Sequence, residues 1–131
     1  MNTVEHCFPL NSNPSDPSIH TIQGILEMYQ RQLPAIRLSG PTYFGPVLKS
    51  FNHYAKETQQ HQIYQILLIL TDGEIHDMAE VKELIVQASD LPTSVIIVGV
   101  GNEDFELMEE LDCDGGLLKD DYGRSASRDI V

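Results

Sequence analysis

No apolar run in this 131-residue chain approaches the roughly 18 residues that cross a bilayer, so a membrane-spanning helix is excluded. The opening MNTVEHCFPL lacks a basic n-region and an apolar h-region, and no signal peptide is expected. Cysteine is scarce. Cys7 and Cys113 stand far apart without metal-type spacing, which points to two reduced thiols in an intracellular protein. Positive charge is scarce too: 8 Lys and Arg stand against 20 Asp and Glu, leaving a net charge of −12. Acids and bases cancel over residues 1–70, so the whole excess follows residue 70. An acidic surface repels phosphate, which excludes nucleic acid and anionic membranes as direct partners and favours cations or basic protein surfaces. Internal repeats and low-complexity segments are also missing. A chain of this length suits one domain and buries roughly two-thirds of its unfolded surface.

What is present has a clear period. HCFPL is a short strand candidate, followed by the turn-rich loop NSNPSDPS. From His20 the spacing is helical, with Ile22, Ile25, Leu26, Tyr29 and Leu33 on one face until Pro34 ends the run. SGPT, residues 39–42, is a loop whose Thr42 is placed to cap a second helix with the stripe Phe44, Val47, Leu48, Phe51, Tyr54 and Ala55. Pro46 is tolerated in its first turn. IYQILLIL, residues 63–70, is apolar apart from Gln65 and suits a strand buried on both faces. Asp77 and Glu80 have capping-box spacing ahead of the stripe Val81, Leu84, Ile85 and Ala88. SVIIVGV, residues 94–100, is a second buried strand. Phe105, Met108 and Leu111 face inward on a short acidic helix, and the tail holds a DGG turn and a weak hairpin signal. The alternation predicts an α/β layer structure with parallel strands.

In such sheets ligands bind beyond the carboxyl ends of strands, and Asp72 sits at one. Its carboxylate and the Thr42 hydroxyl are hard oxygen donors suited to Mg²⁺, while Gly73 permits a sharp turn. By pattern alone, TDG after a strand is also an ordinary turn with an Asp cap. His76, four residues on, can approach the same face or stand solvated in its loop. Other signals are weaker. GVGNED lacks the third glycine of a dinucleotide loop. Cys7 has no triad. Asp112, Asp114, Asp120 and Asp121 lack EF-hand order and read as a solvated turn.

The ordered segments GPTYFGPVL, YQILLILTDG, DLPTSVIIVGVG, DFELMEELD and SASRDIV resemble the von Willebrand factor A-type domain of the copines over nearly the whole chain. The resemblance implies a Rossmann-like three-layer sandwich with a mostly parallel sheet. It also implies a metal-ion-dependent adhesion site at which Mg²⁺ or Mn²⁺ helps hold a protein partner. In that family the site has an Asp-x-Ser-x-Ser loop after the first strand, a threonine from a second loop and an aspartate from a third. Thr42 matches the second piece and Asp72 the third; the first has no match in this chain. The expectation is therefore a partial A domain over residues 1–131, clipped at both ends, lacking the first strand and the amino-terminal C2 domains. Cation binding would be weak or absent without the serine loop.

The resemblance implies a non-enzymatic module with an intracellular protein partner in the cytoplasm. Full-length relatives are calcium-dependent phospholipid binders that reach membranes through C2 domains, so no direct membrane binding is expected of this chain. No small-molecule substrate is expected either. Two alternatives stand beside it: a truncated or structural fragment, and a metal-dependent hydrolase using Asp72. The hydrolase lacks a second strand-end carboxylate, an activated nucleophile or a phosphate loop. Loss of the first strand would leave IYQILLIL with an unpaired edge, open to strand addition.

Overall fold

A computed structural model describes residues 3–131. The chain forms two compact units, Met1–Gly40 and Pro41–Val131.

In the first unit the NSNPSDPS loop closes on itself. Asn11 Nδ2 donates to the carbonyls of Asp16 (2.8 Å) and Ser18 (3.3 Å). Asn11, Asn13 and Asp16 each accept from the backbone N–H two residues on, the local bonding that draws such side chains into turns. HCFPL is not a strand; Pro9, which lacks an N–H for a ladder, instead gives its carbonyl to Ser12 N–H in a turn. Helix α1 spans Ile22–Gln32, capped by Thr21, whose hydroxyl accepts from Gly24 N–H at 3.1 Å. Pro34 falls in the 3₁₀ turn Leu33–Ala35 that ends the helix. The expected apolar stripe forms, yet Ile22, Ile25, Leu26, Tyr29 and Leu33 are all exposed.

The second unit runs α2 (Gly45–Thr58), a 3₁₀ turn (Gln59–His61), β1 (Gln65–Thr71), α3 (Met78–Ala88), β2 (Thr93–Gly99) and α4 (Glu106–Asp112). β1 and β2 pair in parallel, from Gln65 opposite Thr93 to Thr71 opposite Gly99. A parallel pair needs a crossover of this length, and α3 supplies it. The core joins Leu48 of α2, Val81 and Ile85 of α3, Val95 of β2 and Leu111 of α4, each at most 2% exposed. The inward stripes of α3 and α4 fall where their spacing predicts.

Neither strand is buried on both faces. Leu67 and Ile69 pack on the core, whereas Ile66, Leu68 and Leu70 are 62%, 56% and 67% exposed. In β2, Val95 is buried while Ile96 and Val98 are exposed. The core gathers on one face of the sheet, and period-2 alternation sends every second side chain to the other. A continuous apolar run cannot say whether a second layer covers it. The sheet is thus small and open, consistent with an incomplete α/β fold of the von Willebrand factor A kind.

The tail is built rather than loose. Lys119 and Ser125 form an antiparallel bridge. Asp120 is not solvated: it is 5% exposed and accepts from the N–H groups of Tyr122 and Arg124 and from Arg124 Nε at 2.6 Å. Burial pushes its carboxyl up, and these bonds from Arg124 and Tyr122 outweigh that, holding it below its ordinary value. Arg124 also reaches Glu83 of α3 at 3.0 Å, fastening the tail to the helix. Farther on, Ser127 N–H donates to Ser89 Oγ, and Ile130 C=O accepts from Val95 N–H.

Candidate metal centre

β1 ends at Thr71, whose hydroxyl accepts from Gly73 N–H at 3.0 Å. Asp72 follows, exposed, with Oδ1 accepting from Glu74 N–H at 3.1 Å. These two local bonds reverse the chain directly beyond the strand and leave the carboxylate facing solvent. Gly73 makes the reversal possible, with φ +99°. A Cβ there would lie 2.5 Å from the Asp104 carbonyl oxygen and 3.0 Å from Phe105 Cδ1. Gly73→Ala is therefore expected to destabilise the chain by about 2–3 kcal/mol through backbone strain and overlap, read as a lower urea midpoint at unchanged slope.

The loop that carries Thr42 is stitched to the loop that follows Asp72. Thr42 N–H donates to His76 Nδ1 at 3.0 Å, and His76 N–H donates to Thr42 C=O at 2.9 Å. Accepting at Nδ1 places the proton of the neutral imidazole on Nε2, which lies 3.4 Å from Glu74 Oε1. A second stitch follows at once. The Asp77 carboxylate accepts from Phe44 N–H at 3.0 Å and from Gly45 N–H at 2.7 Å, the first free donors of α2.

This corrects two expectations. Thr42 does not cap α2; the helix starts after Phe44, and Asp77 of the neighbouring loop supplies the cap. Nor does Asp77 form a capping box with Glu80, because its oxygens serve α2, while Glu80 pairs with Lys49. A carboxylate at the start of one helix can satisfy the start of another when the helices pack side by side, and sequence spacing does not reveal which. His76 was legible only as a loop histidine that could approach Asp72. Its role as the pin on Thr42 had no signal beyond its distance from Asp72 in the chain.

Asp72 and Thr42 stand on loops held together by His76 and Asp77. Among the described residues no three His, Cys, Asp or Glu side chains gather so as to hold a metal ion.

Parallel strands joined by a helix define an α/β layer protein, consistent with an incomplete von Willebrand factor A-like fold. The copine family model matches residues 1–131. Copine-C of Dictyostelium discoideum is 49% identical over 130 residues, which cover 98% of this chain and 24% of that protein. The chain belongs to the copine family, and it spans about a quarter of the length of this curated relative.

Proposed function

We propose that this chain is a protein-interaction module of copine type, without catalytic activity. In it Asp72 and Thr42 contribute to a divalent-cation site for Mg²⁺ or Mn²⁺, and a carboxylate of an intracellular protein partner completes the shell. The observation that carries this reading is the pair of hydrogen bonds between Thr42 and His76, which ties the Thr42 loop to the loop that follows Asp72 at the carboxyl end of β1. The exposure of Asp72 supports it, since a partner can reach that carboxylate. A cation between the two acids also explains how an acidic surface would attract an acidic partner. Two free thiols, Cys7 and Cys113, suit a cytoplasmic setting.

Titration with Mg²⁺ or Mn²⁺, followed by melting temperature, tests the reading. At a cation concentration about ten times Kd the native state gains about 1.4 kcal/mol, a rise of several degrees. Asp72→Ala should keep the basal melting temperature within about 2 °C, because an exposed side chain contributes little, and should abolish the rise. A wild-type chain that melts identically with and without either cation would remove the metal.

A further inference from the structure

The hairpin at residues 118–126 carries an inference that does not depend on the cation. Ala126 N–H donates to Leu118 C=O at 2.8 Å, and Asp120 N–H donates to Arg124 C=O at 3.0 Å. Gly123 N–H closes the turn on Asp120 C=O at 3.0 Å, with Gly123 at φ +81°, the left-handed step of a three-residue hairpin loop. Tyr122 stands at the tip, 79% exposed. Its N–H donates to the Asp120 carboxylate, and the Arg124 guanidinium carbon lies 5.4 Å from its ring centroid. Arg124 in turn joins the hairpin to α3 through Glu83 at 3.0 Å. The other four tyrosines are worse placed to receive a group from outside. Tyr29 and Tyr54 lie inside α1 and α2, which would have to unwind. Tyr64 Oη donates to Thr93 C=O at 2.9 Å, and Tyr43 is about half as exposed as Tyr122, at 39%.

We propose that Tyr122 is the acceptor for a protein tyrosine kinase, and that its phosphate draws Arg124 from Glu83 and so loosens the hairpin from α3. A kinase must bring the acceptor oxygen in line with the γ-phosphorus of ATP inside its own cleft, which an exposed tip allows. The bond from Tyr122 Oη to phosphorus forms as the bond to the bridging oxygen breaks. ADP leaves, and the phenolic proton passes to the kinase's base. Asp121, directly before the acceptor, supplies the kind of flanking charge by which kinases select substrates. The added group has a charge of about −1.5 to −2 and strong acceptor oxygens, more than one carboxylate offers. Arg124 already lies over the ring that would hold it, whereas Glu83 belongs to another element. Asp120 keeps its bonds to the N–H groups of Tyr122 and Arg124, so the turn persists while its tie to α3 weakens.

The test incubates the full chain with a promiscuous tyrosine kinase catalytic domain, ATP and Mg²⁺, and maps the phosphate by mass spectrometry. One phosphate on Tyr122 is expected, and Tyr122→Phe should lower incorporation about tenfold. That variant keeps the ring under Arg124 and removes only an exposed hydroxyl, so its melting temperature should not move. After phosphorylation, amide exchange at Asp120 and Ala126 should quicken about threefold, the size of an exposed ion pair. Glu83→Gln should quicken the same amides without phosphate, and phosphorylation should then add little. No incorporation, incorporation that Tyr122→Phe leaves unchanged, or incorporation seen only after the chain is melted would overturn the acceptor. Equal exchange before and after phosphorylation, or a phosphate effect undiminished in Glu83→Gln, would overturn the release of Arg124. The Asp72→Ala chain, run in parallel, should be phosphorylated at the wild-type rate, which separates this outcome from that of the cation site.

Discussion

Asp77→Ala is expected to lower stability by about 3 kcal/mol and the melting temperature by roughly 10 °C or more. The carboxylate accepts two backbone N–H bonds at the start of α2, at 3.0 and 2.7 Å. Bonds to a charged acceptor are worth about 1.5–3 kcal/mol each in net terms, and removing the acceptor leaves two partly buried donors without a partner. The negative charge also sits at the positive end of the α2 dipole, which adds a few tenths of a kcal/mol. Asp77→Asn keeps one acceptor oxygen and should recover about half of the loss. Asp77→Ala should also blunt any Mg²⁺ response even though Asp77 is not offered as a ligand, because the Thr42 loop then loses both carboxylate bonds and keeps those to His76. A melting curve for Asp77→Ala that overlays the wild type would show that the α2 cap contributes nothing.

Leu48→Ala is expected to cost about 3–4 kcal/mol, from lost transfer energy plus the cavity left behind. Leu48 is 1% exposed and belongs to the core that joins α2, α3, β2 and α4. Tyr54 lies on the same helix but is 57% exposed, so Tyr54→Ala should stay within about 0.5 kcal/mol. Chemical denaturation of the pair separates helix propensity from packing. If both variants lost the same free energy, the buried stripe would not be what holds α2 to the rest. The open sheet face makes this core unusually important: with Ile66, Leu68 and Leu70 exposed, β1 is held from one side only.

Much of the fold was legible because local rules and packing agree. The 3.6-residue spacing of Val81, Leu84, Ile85 and Ala88 has one solution, a helix with that stripe inward, and all four are buried. Gln65–Thr71 and Thr93–Gly99 lie within two residues of the apolar runs that announced them. Thr42 and Asp72 were legible as carrying oxygen donors in loops; the structure bonds the Thr42 loop to His76, four residues beyond Asp72. The one-sided burial of the strands was not legible, because a run of Ile and Leu states what a side chain prefers and not whether a layer exists to cover it. The α1 stripe failed in the same way: the helix formed and its apolar face stayed exposed.

The amino-acid sequence alone determined the alternation of helices and strands, the acidic imbalance and the strand-end position of Asp72. Each depends on neighbours a few residues apart, where period, turn chemistry and charge act. Only the tertiary structure decided that Asp77 caps α2, that His76 pins Thr42, that Arg124 reaches Glu83, and that one sheet face lies open. Those outcomes depend on which groups come within hydrogen-bonding distance after the chain has packed. A side chain's donors and acceptors do not encode, in one dimension, which partner 30 or more residues away will reach them first.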